Sequence, residues 1–87
     1  MNDGKSADNG IHPAPGEFNE AEIARNPILR FFHYSHLPPK LQESSRPFCT
    51  LARHLIDTTD ESAERTVALR KLLESKDAAV RASLPAS

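Results

Sequence analysis

The one tyrosine of this 87-residue chain, Tyr34, lies in the run Ile-Leu-Arg-Phe-Phe-His-Tyr-Ser-His (residues 28–36), with three of the five aromatic side chains and two of the four histidines. Beside His33 and near Arg30, Tyr34 has two readings. It is a packing residue with its hydroxyl at the surface, or a platform for a nucleobase, a stacking contact worth about 1–3 kcal/mol per base. His33-x-x-His36 has loose metal spacing, with His54 or Cys49 as further donors. Structural zinc wants a compact Cys/His set that the chain does not offer, so these histidines are expected to cap, stack or hydrogen-bond near a helix start. Cys49 and His54 stand five residues apart on an expected helix and so point to different faces, a poor arrangement for a nucleophilic pair. No nucleophile elbow, phosphate loop or metalloprotease helix occurs. The residues point to binding rather than catalysis, with no metal and no cofactor.

A second informative residue is Lys76. In the stripe Leu69, Leu72/Leu73, 76, Val80 it takes the place where an apolar side chain is due. There it snorkels to an edge, pairs with Asp77 or a neighbouring chain, or faces a cavity holding an anion. Several copies near a symmetry axis would repel one another without an anion between them. Arg46, Arg53, Arg70 and Arg81 read mostly as solvated helix faces.

These residues must be positioned by helices. Residues 17–25 have room for two helical turns with Phe18, Ala21 and Ala24 on one side, ended by Asn26-Pro27. Residues 28–36 lead as a turn or short helical piece into a long helix opened by Pro38 and Pro39, where early positions need no amide hydrogen. Along it, Leu41, Ser44/Ser45, Phe48, Leu51/Ala52 and Leu55/Ile56 recur in steps of three and four, the mark of one helical face. Pro47 removes one backbone bond and predicts a bend over 43–47. The helix should stop around Asp57, with Thr58-Thr59-Asp60 supplying a turn and an N-cap. A second helix is expected over 61–82, with Asp60, Glu61 and Glu64 crowding its positive end.

The expected architecture is therefore all-α: a short N-terminal helix and an antiparallel two-helix hairpin, each long helix about 30 Å in length. A bare hairpin has one layer of contacts and no enclosed core. A chain this small normally needs a disulfide, a metal or partners. One cysteine excludes an intrachain disulfide, which leaves self-association.

Composition bounds the rest. The first sixteen residues hold all three glycines and no aromatic, so they are expected to stay disordered; residues 1–25 read as a flexible arm with a short helix, and 26–87 as the domain. Residues 1–26 carry two basic and five acidic side chains (net −3), and residues 27–87 nine basic and seven acidic (net +2). Duplex nucleic acid needs a stronger basic excess, while a small anionic ligand does not. Neither a signal segment nor a membrane-spanning run is read, and the expected location is the cytoplasm.

Three stretches together resemble a known family. They are Asn26-Pro27-x-Leu29-Arg30-Phe31-Phe32-x-Tyr34-x-His36-Leu37-Pro38, then Ser45-x-Pro47-Phe48, then Ala68-Leu69-Arg70-x-Leu72-Leu73-Glu74-x-Lys76-Asp77-Ala78-Ala79-Val80-Arg81-Ala82. Across residues 26–84 the chain is similar to the helical-hairpin sponges of phages, the anti-CBASS cyclic-oligonucleotide sponges and their anti-Thoeris relatives. The resemblance implies a compact homo-oligomer, a hexamer of hairpins, that sequesters the cyclic di- and trinucleotide messengers of bacterial defence without cleaving them, in the host cytoplasm. It implies that Tyr34, in a Tyr-x-x-Leu context, stacks on a base of a dinucleotide. Arg30 and His33 flank it, and Lys76 with Asp77 lines a trinucleotide site near the threefold axis. Where the sponges meet phosphate with a lysine, this chain has Cys49; Arg46 and Arg53, one turn to either side, are the candidates to replace it. The rival reading is a protein-interaction hairpin whose apolar stripes dock a host or phage protein.

Overall fold

The computed structural model describes Ala14 and residues 16–85. The expectation of a disordered tail over the first sixteen residues falls, Ala14 and Gly16 apart, outside the described residues. Among those described, every regular element is helical: α1 (Glu20–Arg25), a 3₁₀ helix (Pro27–Phe32), α2 (Pro39–Thr58) and α3 (Ala63–Ala82).

Each start has a local cause. Asn19 and Glu22 form a reciprocal capping box: the Glu22 amide donates to Asn19 Oδ1 at 2.8 Å and the Asn19 amide donates to Glu22 Oε1 at 3.0 Å. This pairing satisfies two end groups at once and starts α1 at Glu20, three residues later than the apolar pattern implied. Phe18 is buried, Ala21 and Ala24 are exposed, and α1 has no fully buried residue, its Ile23 packing half-buried against the core. The expected side of Phe18, Ala21 and Ala24 is not formed because Phe18 packs from the segment before the cap, and Ile23 makes the helix's contact with the core.

Pro27 opens the 3₁₀ helix and Pro39 opens α2 at its first position. Helix α2 runs unbroken through Pro47, and both Pro47 and Glu43 are exposed. The carbonyl that lost its partner can therefore meet water. The second long helix begins at Ala63 rather than 61, because Ser62, not Thr58-Thr59-Asp60, is its cap: Ser62 Oγ accepts from the Arg65 amide at 3.1 Å.

α2 and α3 pack as the expected hairpin, with the Ser44 and Ser83 hydroxyls in direct hydrogen-bond contact between them. The 3₁₀ helix packs against α1, α2 and α3. With it the hairpin encloses a small core of Phe18, Leu29, Phe32, Tyr34, Cys49, Ala52 and Leu69. This core revises the picture of a hairpin with a single layer of contacts. It also makes residues 17–25, which the sequence divided from the domain, part of the packed body. The small side chains Ser45, Cys49 and Ala52 of α2 are all fully buried, and they let the aromatic-rich segment approach the helix closely. The body remains thin, 17 Å across its shortest dimension.

Candidate functional site

The segment between the 3₁₀ helix and α2 carries Tyr34 and is fastened from two sides. Its turn closes with the Leu37 amide donating to the Tyr34 carbonyl at 3.0 Å. Gln42, one turn into α2, donates through Nε2 to the carbonyls of Leu37 (2.8 Å) and Ser35 (3.3 Å). On the other side stands Glu17. Its carboxylate accepts the amides of Tyr34 at 2.6 Å, Ser35 at 2.8 Å and Ala14 at 2.7 Å, plus the Ser35 hydroxyl at 3.0 Å. His33 Nδ1 lies 3.4 Å from the same group. Burial alone would push this carboxyl up, yet the three backbone amides and the Ser35 hydroxyl bring it down to about 2. A carboxylate gathering several amides favours its charged form in this way.

Gly16 sits at φ +93° in the turn that brings Glu17 to this place, closed by the Glu17 amide on the Ala14 carbonyl at 2.9 Å. That conformation favours glycine. The thiol of Cys49 donates to the Gly16 carbonyl at 3.3 Å. Burial, then the negative charge of Glu17, push this thiol up to about 12.

Tyr34 itself is 5% exposed, and the exposed Arg46 holds its guanidinium over the ring, 5.9 Å from the centroid. Burial, followed by the charge of Glu17, raises the phenol above its ordinary value. Arg30 is exposed, donates through Nε to the Pro27 carbonyl at 3.3 Å, and lies over the ring of the exposed Phe31 at 5.8 Å. His33 meets the edge of Phe18 at a centroid distance of 6.3 Å.

The structure brings Tyr34, His33 and Arg46 together. It takes Arg53 elsewhere. That guanidinium donates to both carboxylate oxygens of Glu22 at 2.7 Å and to the Glu17 carbonyl at 2.7 Å, and it covers Phe18 at 4.8 Å. A fork so fully matched to internal acceptors fastens α1 to α2. Arg53 therefore is a brace rather than a ligand group in this structure, and Cys49, fully buried, faces the core. Lys76 is 14% exposed and pairs with Asp77 of its own helix at 3.0 Å.

No family model, no curated protein and no solved structure matches this chain.

At the hairpin turn an open polar cleft of about 500 Å³ is lined by Glu22, Arg25, Asp57, Asp60, Glu61 and Arg65, among others. Arg65 is buried there and donates to the Thr59 carbonyl at 2.7 Å, closing the loop between the long helices. None of the candidate binding residues named from the sequence lines this cleft, although the turn and helix-start residues Asp57, Thr59, Asp60 and Glu61 do. Among the described residues no three His, Cys, Asp or Glu side chains converge as metal ligands.

Sequence reasoning missed Glu17 and Gln42. The Asn19-x-x-Glu22 box was the available signal for the first. It fixes the helix start at residue 20 and leaves Glu17 outside the helix that the sequence began at residue 17. For Gln42 no local signal exists, because its acceptors are carbonyls of an irregular loop.

Proposed function

We propose that this chain is a stoichiometric binder of cyclic oligonucleotide messengers, which it captures without cleavage as a homo-oligomer, a hexamer by its resemblance to the phage sponges. The observation that carries the reading is the pair formed by the single tyrosine and the guanidinium over it, on a loop fastened by Glu17 and Gln42. A base of the ligand takes the place that Arg46 fills over Tyr34. Arg46, displaced but tethered by α2, turns its planar fork to the neighbouring phosphate, a charge-assisted contact stronger than a neutral one. With Arg53 engaged on Glu22, Arg46 is the cation that substitutes for the sponges' lysine. Arg30 and His33 border the same loop, and Lys76 with Asp77 serves the separate trinucleotide site.

Self-association is supported by the thinness of the body and by large apolar side chains left in solvent: Phe31 at 56% exposure, Leu51 at 47% and Leu84 at 49%. The same side chains favour the rival reading, a hairpin that docks another protein. Calorimetry against a panel of cyclic di- and trinucleotides decides between them. Micromolar or tighter binding to one member, abolished by Tyr34→Ala, is the expected result; no heat with any member at micromolar protein removes the proposal.

A further inference from the structure

Glu17 lies outside the segment that resembles the sponges and outside every site residue named from the sequence. Even so, it is the most heavily hydrogen-bonded carboxylate among the described residues. Its side chain is fully buried, and its contacts fall on two places far apart in the chain: the Ala14 amide locally, and Tyr34, Ser35 and His33 across 16 to 18 residues. Nothing in the core demands a charge at this point. The core beside it, which includes Phe18 and Cys49, is otherwise apolar, and a buried charge is expensive unless fully satisfied. Satisfying it needs both the Gly16 turn and the Tyr34 loop in one arrangement, so the carboxylate selects that arrangement over others the short loop could adopt.

We propose that Glu17 is a positioning residue for the Tyr34 site: its carboxylate holds the Tyr34 and Ser35 amides so that the ring stands under Arg46, making residues 16–18 an integral part of the binding site. The inference rests on the proposed function for its purpose, but the clamp itself can be tested without ligand. The groups that face the carboxylate are His33, Tyr34 and Ser35 from the loop and Cys49 from α2, while Arg53 grips the Glu17 carbonyl rather than its side chain.

The chain has one tyrosine and no tryptophan, so ultraviolet absorbance of the tyrosinate reports Tyr34 alone. In Glu17→Gln the shape is kept and the charge removed. The expected result is a tyrosine titration midpoint lower than in the native chain, with helical circular dichroism retained. Amide exchange at Tyr34 and Ser35 should be at least tenfold faster, and affinity for whichever cyclic nucleotide the native chain binds at least tenfold weaker. Ser62→Ala, which removes the α3 cap at the other end of the hairpin, serves as the control. It loosens the fold without moving the tyrosine titration or the affinity. An unmoved titration with unchanged exchange in a folded Glu17→Gln overturns the proposal. Should that variant not fold, exchange in the native chain decides: Tyr34 and Ser35 amides as fast as in an open peptide overturn it, and protection comparable to the α2 amides upholds it. If no nucleotide binds the native chain, the proposed function fails while the titration and exchange results still settle the role of Glu17.

Discussion

The Arg46 guanidinium lies over the Tyr34 ring, 5.9 Å from its centroid, so an exposed cation of α2 and a buried aromatic ring of the preceding loop are paired. In the proposed function, a motion of this exposed arginine makes way for a base at the ring and presents the charge to its phosphate. Arg46→Ala should leave stability within about 1 kcal/mol, since an exposed cation–π contact is worth about 0.5–1 kcal/mol. It should increase quenching of tyrosine fluorescence by iodide and weaken cyclic-nucleotide binding by about one to two orders of magnitude, the worth of one or two charge-assisted contacts of about 1.5 kcal/mol each. Affinity equal to the native value would remove Arg46 from the phosphate role.

Cys49 offers a test of the core that needs no variant. The thiol is fully buried, gives its hydrogen to the Gly16 carbonyl and is pushed up to about 12. The reactive species is the thiolate, so at pH 8 a disulfide reagent should modify it at least a hundredfold more slowly in the native chain than in urea. Its rate then follows the opening of the segment that ends at Phe18. Rapid native modification would mean that the Gly16 turn does not cover the thiol.

The long helices were legible because their causes are local. Three- and four-residue spacing set their faces, Pro38-Pro39 set the start of α2, and the end expected near Asp57 falls at Thr58. The start of α3 was misjudged by two residues because Thr59, Asp60 and Ser62 can all cap a helix. Which one does is decided by the loop that Arg65 closes on the Thr59 carbonyl. At the candidate site, the placement of Tyr34 ahead of α2 was visible and its burial agrees with the packing reading of that tyrosine, but the contacts that fasten its loop were not visible. The Glu17 contacts span 17 residues and join side chain to backbone, a kind of pairing that leaves no periodicity behind. Arg53 was misread for a related reason: a solvated helix face and a brace have the same sequence until α1 is placed against α2.

Acid should loosen the N-terminal part of the fold. Glu17 has its carboxyl lowered from 4.5 to about 2 and Glu22 is lowered as well, chiefly by its hydrogen bonds from Arg53. A group whose pKa is depressed on folding contributes stability above its unfolded value and loses it as pH falls through the folded value. Stability should thus hold down to about pH 4.5 and decline between there and about pH 2. The loss is on the order of 3 kcal/mol for Glu17, whose side chain is fully buried. Thermal melting across pH 2–7 checks this, and Glu17→Gln should flatten the decline. An equally steep acid limb in that variant would place the acid sensitivity elsewhere.

Arg53 should be the most consequential charged residue for stability on α2. Its guanidinium joins three things at once: the Glu22 carboxylate that caps α1, the carbonyl of Glu17 and the face of Phe18. The ion pair is about a quarter exposed on both sides, so its own contribution is modest. The larger effect comes from the unpaired Glu17 carbonyl and the lost cover of Phe18. Arg53→Ala should destabilise by about 2 kcal/mol, which for a body of this size lowers the melting temperature by about 10 °C. Arg53→Lys keeps the charge but cannot bridge Glu22 and Glu17 together, so it should recover less than half of that loss. Urea unfolding of the two variants separates the contributions. Full recovery by lysine would show that only the charge matters, and a loss below about 0.5 kcal/mol in Arg53→Ala, the range of ordinary surface substitutions, would mean that apolar packing, with Phe18 and Ile23 against the core, holds α1 in place without Arg53.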